Sequence, residues 1–156
     1  VGRTPSILED LARGLATSPT HFSMSVHNAV AGVWSISRQD PSPSTSLAAG
    51  PETFGLALLE ACGLHSEDPA HSVLFVYGEE PLPDPFRPFA ARELPLHAVA
   101  LLIGLPATQR LTFQRGDWPG AEPAAPQSLQ VLQTLHSGEA QGPWREGAGA
   151  WSWRRD

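Results

Sequence analysis

Cys62 and His65 stand three residues apart, the spacing at which a helix sets a thiol near an imidazole and permits a thiolate pair. Gly63 falls between them and is read as the end of that helix, which parts the two side chains and leaves Cys62 a buried, inert thiol. His27 and Asn28 form a second polar pair, inside an otherwise apolar stretch from Val26 to Trp34. They could contact a partner or ligand, or cap and cross-link their helix as buried polar groups usually do. Ser44, Ser46 and Thr53 offer hydroxyls with no base beside them in sequence, and turn, strand and helix roles suit them. Glu79, Glu80 and Asp84 follow an apolar strand, at the kind of carboxyl end where ligands bind in α/β sheets. The prolines 81, 83 and 85 among them point instead to a solvated loop. The single cysteine excludes an intramolecular disulfide, no Cys/His grouping has zinc-ligand spacing, and no metal or other cofactor is expected.

The elements that position these residues follow from apolar periodicity. Ile7, Leu8, Leu11, Ala12 and Leu15 predict a helix over 5–15, and Val26, Ala29, Val30, Val33 and Trp34 predict one over 25–37. Two prolines make 39–44 a turn, and 45–49 is expected to be a short strand. Residues 51–62 form a helix almost without a polar face, of the kind that lies between layers, with Glu52 complementing its dipole and Phe54 opening its apolar run. SVLFVY at 72–77 reads as a strand of a parallel sheet covered on both faces, and 98–104 as a further strand. Strand, buried helix and strand together make a right-handed βαβ crossover. Beyond Pro106 a short edge piece at 111–113, a Pro/Gly-rich loop and a helix over 127–137 with Leu129, Leu132 and Leu135 on one side are expected. In the last segment Trp151 and Trp153 alternate, so both indoles share one face of an extended arm. With Trp118 and Trp144 they are read as local core more readily than as an interface, and the main core is placed in the first two thirds.

Composition bounds the function classes. The chain has 156 residues, 41% of them hydrophobic, enough to bury a core. Its ten basic residues are all arginine and its net charge is −6, which argues against a nucleic-acid partner. No apolar run is long enough to span a bilayer and no signal peptide opens the sequence, so a soluble cytoplasmic protein is expected.

The order Ser18-Pro19, Asn28, Ala31-Gly32, Ile36, Pro43-Ser44, Ser46-Leu47-Ala48 resembles the approach to the active site of the β-ketoacyl-ACP synthases. The words Ser18-Pro19-Thr20, Phe22-Ser23, Ser25-Val26-His27-Asn28-Ala29, Leu82-Pro83 and the Trp-x-Trp ending resemble the ketosynthase-like N-terminal domains of aryl-polyene type fatty acid and polyketide clusters, which lack the cysteine. In this resemblance Pro51 falls where the family carries its nucleophile. Proline has neither a nucleophile nor an N–H, so thiolate and oxyanion donor vanish together, while Gly50-Pro51-Glu52 remains a good helix start. Cys62, eleven residues further along, cannot replace what is lost.

The resemblance implies an α/β fold: half of a thiolase-like α/β/α layer structure with parallel central strands, followed by an irregular Pro/Gly-rich C-terminal segment. It divides the chain into a half domain over 1–105 and an extension over 106–156 packed on it, with the first strands missing or upstream of Val1. It implies a non-catalytic subunit akin to chain length factors, pairing with an active ketosynthase as a heterodimer, or with itself, and shaping an acyl tunnel. Acyl carrier protein is a further implied partner. Val26, His27, Asn28, Val30, Trp34, Leu47, Gly50, Pro51, Glu52 and Phe54 are the candidate partner or acyl-cavity contacts. Two other readings stay open: a scaffold that holds acyl carrier protein without ketosynthase pairing, and an acyl-transfer enzyme using a reactive Cys62 or a serine within reach of a histidine.

Overall fold

The computed structural model describes residues 3–84, 86–90, 95–116, 125–146 and 149–156. The chain divides into two compact units: Val1–Ala48 with Pro81–Glu93, and Ala49–Glu80 with Leu94–Asp156. These bounds differ from the division at 105 read from the sequence.

The first unit is helical. Its helices are α1 (Arg3–Ala12), α2 (Pro19–Ser23) and α3 (Ala29–Arg38). Ser18 caps α2 by accepting from the His21 amide at 3.4 Å, and Pro19 opens it, where its missing N–H costs nothing. α3 begins four residues later than its apolar period suggested and closes on Gln39, whose φ of 52° is the left-handed turn that ends many helices. Residues 45–49 join no ladder among the described residues, so the expected strand is absent, and Ala49 at ψ 33° is not in an extended conformation. An apolar, β-prone run becomes a strand only when another strand satisfies its N–H and C=O groups.

The second unit carries the core. A 3₁₀ turn (Gly50–Glu52) leads into α4 (Thr53–Glu67), followed by β1 (Val73–Glu79) and β2 (His97–Ile103). β1 and β2 pair antiparallel, Val73 opposite Ile103 and Glu79 opposite His97. The parallel βαβ crossover is therefore corrected: with no strand at 45–49, β1 finds its partner in β2, which the 80–96 connection returns in the opposite direction. A continuous apolar run carries no direction of its own. α4 also corrects its expected end, running through Gly63 to Glu67. One helical glycine costs about 1 kcal/mol against alanine, which burial of Phe54, Leu58 and Ala61 outweighs.

Among the described residues the C-terminal third is largely regular, and most of the Pro/Gly-rich loop, 117–124, lies outside them. That third forms β3 (Leu111–Gly116), α5 (Gln127–His136), β4 (Gln141–Glu146) and β5 (Gly149–Arg155), with β5 between β3 and β4 in an antiparallel sheet. Trp151 lies opposite Trp144 and Trp153 opposite Phe113, so the Trp-x-Trp alternation does place both indoles on one buried face. Trp144 and Trp153 stack at 6.0 Å, and Trp144 Nε1 donates to Thr134 Oγ1 at 2.9 Å. Trp118 lies outside the described residues. The core joins Phe54, Leu58, Ala61, Phe75 and Val99 to Val131, Trp144, Trp151 and Trp153, so it draws on the last third as fully as on the middle. Leu132 and Leu135 of the expected stripe pack against this core, half-buried, and α5 also buries Val131 and Thr134, the latter accepting from the Trp144 indole.

Candidate functional site

The entry to α4 is built by local bonds. Gly50 has φ 59°, a left-handed conformation that glycine adopts without strain, and it reverses the chain ahead of the 3₁₀ turn. Pro51 is exposed, and it sits in that turn and not in the α-helix proper. Thr53 Oγ1 accepts from the Ala49 amide at 2.9 Å and donates to Gly50 O at 2.7 Å, which occupies the one hydroxyl at the turn. Glu52 Oε1 accepts from Arg115 Nη2 at 2.8 Å. Phe54 is buried, edge-on to Phe75 at 5.3 Å and to Tyr77 at 5.1 Å, and so anchors the helix to β1.

Cys62 and His65 now share one continuous helix, yet the structure gives them different partners. The His65 Nδ1–H donates to His71 O at 2.9 Å, and burial pushes the Cys62 thiol above its ordinary pKa, the reverse of an activated nucleophile. Cys62 also lies about 14 Å along α4 from its first residue, Thr53.

In the first unit His27 and Asn28 are exposed, which corrects the reading of a buried pair. His27 Nε2 donates to Ser46 O at 3.3 Å, tying the loop before α3 to the segment that follows it. Asn28 occupies the N-cap position of α3 without a side-chain capping bond. Val26, Val30 and Trp34 are exposed, Val30 by 80% and Trp34 by 50%, with the Arg38 guanidinium 4.8 Å above the indole. Leu47 is half-buried.

Glu79 is the last residue of β1 and accepts from Tyr77 OH at 2.5 Å, while Asp84 pairs with Arg87 at 3.4 Å in the other unit.

One pair escaped the sequence reading. His97 Nδ1 lies 2.7 Å from Pro95 O, which can only accept, so Nδ1 carries the proton and Nε2 accepts from Ser128 Oγ at 2.7 Å. A serine bonded to an oriented histidine has the donor geometry of a nucleophile and its base. Ser128, however, is 1% exposed, so its hydroxyl is a buried tie between β2 and α5 out of reach of a substrate. The two residues are 31 apart, and no local signal joins them. Among the described residues no group of three His, Cys, Asp or Glu side chains is placed to hold a metal ion, and no helix is long and apolar enough to cross a membrane.

The entry to α4 thus carries an exposed proline and a threonine hydroxyl bonded on both sides. A family model described as the β-ketoacyl synthase N-terminal domain matches residues 1–154. The chain belongs to that family. Among solved structures, this ketosynthase-family chain is similar to one titled as a ketosynthase (ApeO) in complex with its chain length factor (ApeC) from Xenorhabdus doucetiae, at 34% identity and a TM-score of 0.82. The match covers 99% of the present chain and 64% of the solved one, so the ketosynthase-like chain spans about two thirds of that neighbour's length. No curated protein matches it. The thiolase-like α/β class of the N-terminal ketosynthase domain therefore stands, with the described strands antiparallel.

Proposed function

We propose that this ketosynthase-like chain is a non-catalytic subunit that pairs with an active β-ketoacyl-ACP synthase and shapes its acyl tunnel in fatty acid or polyketide synthesis. The observation that carries the reading is the entry to α4. Pro51 supplies neither thiol nor N–H, Thr53 is bonded on both sides, and the one cysteine is a half-buried thiol about three turns away. Pairing is supported by the apolar exposure of α3 and by the ketosynthase and chain length factor named in the similar structure. Val26, Val30, Trp34 and Leu47 are the residues proposed to meet the partner, with the 45–49 segment taking up a ladder across the interface.

The test is co-expression with a full-length ketosynthase encoded beside the chain, followed by co-purification and light scattering. A complex is expected, and Leu47→Lys is expected to weaken it at least about tenfold by placing a charge in a desolvated contact. The chain alone, given malonyl- and acyl-carrier substrates, forms no condensation product and no acyl adduct. A monomeric chain that co-purifies with no ketosynthase ends this reading and leaves the carrier-binding scaffold in its place; turnover by the isolated chain ends both.

A further inference from the structure

We propose that α2 and α3 are ordered by the subunit they meet: in the isolated chain they open readily, and they become a stable layer when an uncharged, apolar face of the ketosynthase covers Val30, Val33 and Trp34. The inference rests on the pairing proposed above. It adds the chemistry of the partner's face and the state of these helices before the partner arrives.

One observation concerns stability. α2 has five residues and α3 ten, short of the about 12–15 at which even alanine-rich helices become marginally stable alone in water. α3 reads AVAGVWSISR, in which Val30, Val33 and Ile36 are β-branched and Gly32 is a poor helix former, so its own propensity is low. Helices of this kind persist by burying an apolar face. Yet no residue of α2 or α3 is buried, and Val30, Val33 and Trp34, which share one face, are 80%, 46% and 50% exposed. Ser37 Oγ donates to Trp34 O at 3.0 Å and Ser35 Oγ to Asp40 O at 2.5 Å. Such local bonds break with the helix end they trim and do not replace burial.

A second, independent observation concerns charge. The chain is 17% charged, yet residues 14–37 contain no Asp, Glu, Lys or Arg. A helix that faces water carries charge on its outer side, whereas charge is depleted at the centre of protein–protein contacts. The same depletion decides between occupants. An acidic carrier protein or an anionic lipid surface is gripped by Lys and Arg. Here Arg38 follows the uncharged run, and its guanidinium is stacked on Trp34 at 4.8 Å. An uncharged apolar protein face fits the stripe.

The test is amide hydrogen exchange, read by mass spectrometry, on the full chain alone and in its complex with the co-expressed ketosynthase. Alone, amides 33–38 are expected to exchange within about tenfold of the unstructured rate, while those of α4 and β1 are slowed at least about a thousandfold. In the complex the 33–38 amides should slow by a further tenfold or so. A Cβ on Gly32 would have nothing within 4 Å, so Gly32→Ala should slow α3 exchange about threefold to fivefold in the isolated chain and leave α4 unchanged. An isolated chain that protects α3 as strongly as α4 overturns the inference, as does a complex that forms without slowing α3; pairing itself survives both results. Absence of any complex ends the pairing reading and removes the ketosynthase as the cover. Protection that appears on adding acyl carrier protein, or on concentrating the chain alone, assigns the stripe to a carrier or to a second copy and overturns the inference as well.

Discussion

The two units of this chain handle apolar sequence in opposite ways. In the unit of 49–80 and 94–156, α4, α5 and two sheets enclose nine buried side chains, three of them tryptophans. In the unit of 1–48 and 81–93, α3 is as rich in apolar residues as α4, yet none of its residues is buried, and Ile7 is the buried hydrophobic residue of that unit among those described. Apolar content alone does not make a core; a second layer has to cover it. The uncovered helix is where association is expected to act, and the packed unit is where stability resides.

The sharpest way to break that contrast is truncation in the packed unit. Trp151→Ala removes a side chain 2% exposed that faces Trp144 across the sheet, and is expected to cost about 3–5 kcal/mol, read as a loss of cooperative melting or a large fall in Tm. A smaller effect is expected from adding volume at the same place. A Cβ on Gly55 would lie 2.7 Å from Trp151 Nε1 and 2.9 Å from Gln127 Oε1, so Gly55→Ala should destabilise by about 1–3 kcal/mol in urea titration despite alanine's better helix propensity. The smallest effect belongs to the other unit. Val30→Ser, at a position 80% exposed, should shift the stability of the isolated chain by no more than about 0.5 kcal/mol while weakening the proposed complex. A Val30→Ser variant that melts far below the parent would show that α3 is covered within the chain, and the contrast would fall.

Much of the scaffold was legible because its signals are local. The period of α1, α3 and α4, the apolar runs of β1 and β2, and the Trp-x-Trp alternation each report which face of an element is apolar. Boundaries were less legible: Gly63 reads as a stop, but burial of Phe54, Leu58 and Ala61 carries α4 past it. At the candidate site Pro51 and Glu52 were visible as residues, but the partner of Glu52 lies 63 positions away on β3. His97 and Ser128 were invisible as a pair for the same reason.

The sequence by itself determined family and helix periodicity, and it put Pro51 ahead of the apolar run of α4, since each is written in residue types and short spacings. Only the tertiary structure decided that β1 pairs antiparallel with β2, that the tryptophans of the last third complete the core, and that Glu52 meets Arg115. Strand direction and long-range contact depend on where a connection brings the chain back, and no window of neighbouring residues contains that information.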